Sequence, residues 1–380
     1  MLAPPIEPML AAPLGNVIPD EPDLSFEPKW DGFRCLVFRS ASTVVLQGRG
    51  RSKAPDEVVD LAYAFPEVVA AILDQIPTGT VLDGEIVVQH QGRLDFGRLS
   101  ERLRPRSEAG SGNVDRLAIL QPASLLVFDL LWSDGDLMAE PFAARRTALQ
   151  GLAADWRSPL LLTPNTTDRA VAAQWFVDYE SAGVDGLIVK RLADPYLPGR
   201  RAQGKVKHQR TADVVVAGWR PYSKPGPDGE PVVGSLLLGL HDGSGRLHYV
   251  GGASAFTAQV RRDLVDLLAP LTCAGDDPHP WRDTPGVRVP GVANRWKKEQ
   301  AWVAVRPELV AEVEYDQMEG DRFRHAAGFV RWRPDRGPAT CGFEQLDVPP
   351  PARIESLLRT AAVPLAPGSA APDAAPPPAS

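Results

Sequence analysis

Lys29 stands in the segment Phe26-Glu27-Pro28-Lys29-Trp30-Asp31-Gly32-Phe33-Arg34, with an acid two residues away on each side and a glycine three residues on. A lysine so placed can be a covalent nucleophile, because its amine attacks once it is neutral. The same segment also reads as a surface lysine before a hairpin, since Cys35 to Arg39 predicts a strand. Other polar residues recur at strand positions where a core prefers apolar ones. Arg49 lies in Gln47-Gly48-Arg49-Gly50, Glu85 ends Asp83-Gly84-Glu85, and Asp185 opens Asp185-Gly186-Leu187-Ile188-Val189-Lys190. Lys205-Val206-Lys207 puts two lysines at strand spacing, hence on one face. Each alone is equally a solvent-facing residue. Lining one pocket, such lysines and acids suit a nucleotide phosphate and a divalent metal.

The elements that must position them follow from periodicity. Strands are predicted at Thr43–Gln47, Thr80–Val88, Ser124–Trp132 and Val184–Arg191, with a loop from Leu192 to Gly204. Ser124–Trp132 is nearly continuous apolar sequence around Phe128-Asp129, which predicts burial on both faces. Apolar residues at helical spacing predict a helix over Asp56–Gln75, kinked or broken at Pro66, and others over Ala143–Ala154 and Asp168–Ala182. From Asp213 the pattern changes to short strands with glycine turns: Val214–Gly218, Val233–His241, Leu247–Gly251, Leu309–Tyr315 and Phe329–Arg333, with one helix at Thr257–Leu268. Five short strands and one helix suit a small closed barrel of the oligonucleotide-binding kind. Residues 362–380 are Pro/Ala-rich and predict disorder.

Composition narrows the class. A chain of 380 residues with 44% hydrophobic content can fill two cores. No apolar run is long enough to span a bilayer, and Met1–Leu14 lacks the basic region of a signal peptide. Cys35, Cys273 and Cys341 have no metal-ligand spacing and predict reduced thiols in a cytoplasmic protein. The net charge of −7 argues against a polyanion partner, but its distribution does not. Residues 1–28 hold five acids and no base, whereas 190–210 hold seven cations against Asp194. Five arginines lie in 93–106 and five in 322–336. Local positive patches are what phosphate backbones require.

These motifs, in this order, closely resemble the ATP-dependent DNA ligases of the covalent nucleotidyltransferase superfamily, over about residues 5–350. Lys29 to Arg34 is similar to the family's KxDGxR nucleophile motif, and Gly48-Arg49-Gly50 to its second motif. Asp83-Gly84-Glu85 and Phe128-Asp129 resemble the third and its companion, Asp185 to Lys190 the fourth, and Lys205-Val206-Lys207 the fifth. Arg331-Trp332-Arg333-Pro334-Asp335-Arg336 resembles the sixth. The compact length looks like the small bacterial ligases of the ligase C type. Two positions depart from the pattern: Asp185 stands where glutamate is usual, and Arg336 where lysine is usual. Both bear on metal preference and on the rate of the first step.

The resemblance implies an α+β chain. An adenylation (nucleotidyltransferase) domain over 1–212, with antiparallel sheets and helices, precedes an OB-fold β-barrel domain over 213–350 and a Pro/Ala-rich disordered tail over 351–380. It implies a lysyl-AMP on Lys29, transfer of AMP to the 5′-phosphate of a nick in duplex DNA, and sealing by the 3′-hydroxyl, in DNA repair. Glu27 is then expected by the adenine, Arg49 and Glu85 by the ribose, and Phe128 stacked on the base, with Lys190 also in the nucleotide pocket. Lys205 and Lys207 would neutralise the α-phosphate, and Arg34 would bind near the sugar or the nick phosphate. Asp185, with Glu85, would hold Mg²⁺ or Mn²⁺, and Arg333, Asp335 and Arg336 would meet the leaving pyrophosphate. The expected partners are ATP and nicked duplex DNA, with no membrane and a monomeric chain. An RNA ligase, a capping-type guanylyltransferase or an inactive nucleic-acid-binding module are the alternatives.

Overall fold

The computed structural model describes residues 2–49, 58–103, 111–227, 229–290, 301–316, 318–346 and 352–359. The chain forms two units, Met1–Lys207 with Pro349–Ser380, and His208–Val348. The second unit thus begins five residues before the expected boundary at Asp213, because its first strand already starts at Arg210.

The first unit holds two sheets. The larger runs in the order Val44–Gly48, Phe33–Arg39, Thr80–His90, Ala123–Trp132 and Leu160–Leu162, with Arg93–Leu94 added on Thr80–His90. The smaller runs Leu10–Pro13, Arg201–Val206, Leu187–Arg191 and Leu24–Pro28. Ala123–Trp132 is buried on both faces along most of its length, as its unbroken apolar sequence requires. Helix Pro66–Gln75 covers a core that includes Phe65, Val68, Ile72, Ile86 and Leu125.

Several sequence expectations shift for local reasons. Pro66 begins its helix instead of kinking one, since a proline at the first helical position lacks only an N–H that would be unpaired anyway. The start of that expected helix, Asp56 and Glu57, lies outside the described residues. Asp168 caps helix Arg169–Asp178 by accepting from Ala170 N and Val171 N. A short 3₁₀ turn at Glu180–Ala182 then ends on left-handed Gly183. The strand expected from Val184 starts at Leu187, after Gly186 at φ +125°. The expected loop at 192–204 becomes a strand from Arg201. Part of the expected tail is also ordered: helix Ile354–Arg359 buries Ile354 and Leu357 in the cluster of Trp30, Val87, Leu126 and Trp175. Residues 360–380 lie outside the described residues.

The second unit is a closed barrel of Arg210–Pro221, Val233–His241, Leu247–Ser254, Ala327–Trp332 and Val303–Tyr315, with helix Ala258–Leu268 capped by Thr257. The five predicted strands and the one predicted helix are all present. Val214, Val216, Leu236, Leu238 and Val313 are among the fully buried residues of its core.

Candidate active site

Lys29 directly follows strand Leu24–Pro28. Its N–H donates to Gly186 O at 2.9 Å, and its carbonyl accepts from Asp185 N at 2.8 Å. The first and fourth motifs are therefore clasped backbone to backbone. Glycine makes the clasp possible. A Cβ on Gly186 would lie 2.1 Å from Val206 O, at a φ that side chains rarely adopt, and one on Gly32 would lie 2.2 Å from Ile86 O.

The clasp brings side chains together. Lys29 Nζ lies 2.5 Å from Asp185 Oδ2, and Lys207 Nζ reaches the same oxygen at 2.9 Å. Burial alone would raise the Asp185 carboxyl, but Lys29 and Lys207 outweigh it and hold it below the usual carboxylate range. Beside this cluster is a cleft of about 440 Å³. Glu27, Lys29, Arg34, Arg49, Glu85, Phe128, Lys190 and Lys205 all line it. Ten of the thirteen residues given roles from the sequence thus converge, eight in the cleft wall, Asp185 through Lys29 and Lys207 through Asp185.

Each wall residue has a physical setting. Glu27 and Lys190 form a buried pair at 2.8 Å. Glu27 Oε1 is buried without a hydrogen-bond partner among the described residues. Burial raises the Glu27 carboxyl, and Lys190 and Arg146 oppose the rise. Arg34 clamps Asp83 with two bonds, Nε to Oδ1 at 3.0 Å and Nη2 to Oδ2 at 2.6 Å. Its guanidinium lies 5.2 Å from the Phe128 ring centre, and Lys190 Nζ lies 5.0 Å from it. Glu85, opposite Arg34 in register, is pushed up to about 8 by burial, against Arg34 and Lys29. Burial and the neighbouring Lys207, Lys29 and Arg201 lower the Lys205 ammonium.

Arg333 and Arg336 are not part of this cleft. They belong to the barrel unit, where both pair with Asp213, at 2.8 Å and 3.2 Å. Arg333 also forks onto Asp335 at 2.8 Å.

Family models place the chain without ambiguity. Residues 8–208 match the ATP dependent DNA ligase domain, and residues 229–336 match the ATP dependent DNA ligase C terminal region. The chain belongs to the ATP-dependent DNA ligases. It is 45% identical over 357 residues to DNA ligase C2 of Mycolicibacterium smegmatis, covering 91% of this chain and 96% of that protein. It is 43% identical over 358 residues to DNA ligase C of Mycobacterium tuberculosis, covering 91% and 95%. A solved structure from the Lig E DNA ligases shares the fold at TM-score 0.50 and 17% identity, covering 82% of this chain and 93% of that one.

This ligase has cleft residues that the sequence reading missed. Arg201 and Gln203 line the wall with Lys205. They alternate along one strand, a period-two signal hidden by reading the segment as a loop. The arginine patch at 93–106 is also smaller than it looks. Arg102 is buried on Glu67 and on the carbonyls of Ala64 and Gln121, and Arg104 and Arg106 lie outside the described residues.

Among the described residues, no three Asp, Glu, His or Cys side chains gather to hold a metal ion. The donor set nonetheless suits a hard divalent cation. Mg²⁺ typically takes one or two carboxylates and completes its shell with water and substrate phosphate. Asp185, on Lys29 and Lys207, and Glu85, in the cleft wall, carry oxygens of that kind.

Proposed function

We propose that this ligase seals nicks bearing a 5′-phosphate and a 3′-hydroxyl in duplex DNA, through an AMP carried on Lys29. The observation that supports this most is the clasp of Lys29 on Asp185 and Gly186 at the mouth of the cleft, with Lys207 on the same carboxylate. Lys29 Nζ attacks the α-phosphorus of ATP, an N–P bond forms, and the bond to the pyrophosphate breaks. Lys29 then yields AMP to the nick 5′-phosphate. The 3′-hydroxyl displaces AMP and closes the strand. Such displacements at a crowded anionic phosphorus depend mainly on positioning and charge neutralisation.

Asp185 Oδ2 orients the amine. Lys205 and Lys207 stabilise charge on the α-phosphate, and Phe128 offers a flat apolar face to the base. Arg49 and Glu85 serve the ribose. Arg34, locked on Asp83, presents a fixed cation beside the sugar. Asp185 and Glu85 would hold a Mg²⁺ or Mn²⁺ ion, whose charge favours attack at phosphorus. Arg333, Asp335 and Arg336 serve the pyrophosphate, which requires the barrel to reach the nucleotide during the first step.

Glu27 Oε1 favours ATP over GTP. Among the described residues no donor reaches this acceptor, which suits the exocyclic amine of adenine and opposes the guanine carbonyl. A nick with these ends is what excision and resynthesis leave behind, so repair is the proposed setting. The protein is proposed to act as a cytoplasmic monomer, and no described helix is long and apolar enough to cross a membrane. Labelling with radioactive ATP or GTP, then chasing with nicked DNA or nicked RNA, tests the reading. A label from GTP alone, or release only onto RNA, would contradict it.

A further inference from the structure

Behind the Glu27 wall of the cleft lies a row of buried charges: Glu27, Lys190, Asp129 and Arg145. Lys190 Nζ sits between two carboxylates, 2.8 Å from Glu27 Oε2 and 3.9 Å from Asp129 Oδ2. It also donates to Phe128 O at 3.3 Å and lies 4.4 Å from the Phe142 ring centre. All of these groups are nearly inaccessible, with Lys190 and Glu27 side chains 4% and 2% exposed and Arg145 and Asp129 side chains 0% and 1%. Which carboxylate holds Lys190 is therefore decided inside the protein, with little screening by water.

Arg145 decides it. This residue lies on helix Phe142–Leu152 and takes both oxygens of Asp129, Nε to Oδ1 at 2.8 Å and Nη2 to Oδ2 at 3.1 Å. Nη1 donates to Glu140 O at 2.6 Å and Asp194 O at 3.2 Å, which fixes the guanidinium. Asp129 is also the register partner of Asp83 on the adjacent strand, and Asp83 is occupied by Arg34. Two buried carboxylates abreast thus each have their own arginine. Without Arg145, Asp129 would be an uncompensated buried charge, and its nearest free-moving cation would be Lys190.

We propose that Arg145 is a positioning residue for recognition of the nucleotide base: by saturating Asp129 it keeps Lys190 on Glu27, and so keeps Glu27 Oε1 in place as a hydrogen-bond acceptor in the cleft wall. This rests on the reading of the cleft as the nucleotide site. Arg146, the next residue on the helix, also bears on Glu27: it lies within electrostatic reach, its Nη2 donates to Thr163 O at 2.5 Å, and its Nε and Nη1 have no hydrogen-bond partner among the described residues.

The test uses the full chain with Arg145→Met and with the double variant Arg145→Met/Asp129→Asn. Three quantities are measured: KM for ATP in self-adenylylation, the preference for ATP over GTP, and sealing of a nick that already carries AMP. Arg145→Met should raise KM for ATP by about tenfold or more, the order of a hydrogen bond to a charged group, and should narrow the ATP preference. Sealing of the pre-adenylylated nick should change by less than about threefold, because that step does not select a free nucleotide. The double variant removes the competing charge and should restore most of the loss. Unchanged KM and preference in Arg145→Met would overturn the proposal. So would a parallel loss in all three quantities that the second substitution does not relieve. If Arg145→Met does not fold, the double variant decides alone: KM for ATP within about threefold of the parent supports the proposal, and a tenfold rise overturns it. Failure of the parent protein to take label from ATP would fall on the nucleotide reading instead.

Discussion

Each unit of this ligase gathers two cations on one aspartate, and the two clusters differ in kind. In the first unit Asp185 holds Lys29 at 2.5 Å and Lys207 at 2.9 Å. In the barrel Asp213 holds Arg333 at 2.8 Å and Arg336 at 3.2 Å. The lysines are compact charges on flexible stems, and an amine that sheds its proton becomes a nucleophile. The arginines keep their charge under all ordinary conditions and present planar forks suited to phosphate oxygens. One arrangement suits covalent chemistry, and the other suits anion binding without it. The supports differ as well. Lys29 and Asp185 are joined directly, backbone to backbone, through Gly186, whereas among the described residues Asp213 and Arg333 meet through their side chains while their backbones bond elsewhere, Arg333 N to Val310 O at 2.8 Å and Asp213 N to Gln345 Oε1 at 2.7 Å. Side-chain pairs can exchange one anion for another, which is what the proposed engagement of pyrophosphate by Arg333 would require.

The largest effect is expected at Asp185. Asp185→Asn removes the charge shared by both lysines and should slow self-adenylylation by ~100-fold or more. Asp185→Glu should retain part of the activity and shift the preference between Mg²⁺ and Mn²⁺, because the carboxylate reach changes. A metal titration of adduct formation measures both, and full activity of Asp185→Asn at limiting metal would remove Asp185 from the site.

The barrel cluster should give a smaller and more selective loss. Arg333→Ala is expected to slow self-adenylylation by about 10- to 100-fold, with a much weaker effect on a pre-adenylylated nick. Arg336→Ala should follow the same pattern at about threefold, because its ion pair with Asp213 is partly exposed. Equal loss in the two half-reactions would erase the distinction between the clusters.

Salt separates the half-reactions by substrate. Nick sealing should drop about tenfold or more between roughly 50 and 200 mM salt, as released counterions dictate, while adduct formation changes little. A salt titration of both half-reactions reads this directly, and salt-independent sealing would point to DNA contacts of another kind.

The smallest effect is expected from the chain end. Removing residues 362–380, which hold Asp373 and no cation, should leave both half-reactions unchanged. Removing 352–380 should instead destabilise the first unit by about 2–5 kcal/mol, because Ile354 and Leu357 leave a packed core. Thermal melts of the two truncations distinguish them.

Much of this was legible in the sequence, for physical reasons. The order of the motifs resembles that of the ligases, so Lys29 and Asp185 were expected in one site although 156 residues separate them. The barrel strands were visible through their alternation and glycine turns. What escaped was decided by tertiary partners. Arg102 was counted in a positive patch and Arg145 was not singled out, yet both are buried on carboxylates from distant segments. Arg201 and Gln203 were hidden because strand pairing with Leu10–Pro13 and Leu187–Arg191, and not local propensity, makes their segment a strand. Helix Ile354–Arg359 was masked by the Pro/Ala sequence that follows it.

The central claim is that Lys29 carries AMP between ATP and the nick. The most direct measurement incubates the full-length protein and its Lys29→Ala variant with radiolabelled ATP and a divalent metal, then adds nicked duplex. The parent protein should take up label and pass it to the DNA. Lys29→Ala should take up none, yet still seal a nick that already carries AMP, since the last step needs the folded site but not the adduct. Normal labelling of Lys29→Ala would contradict the account.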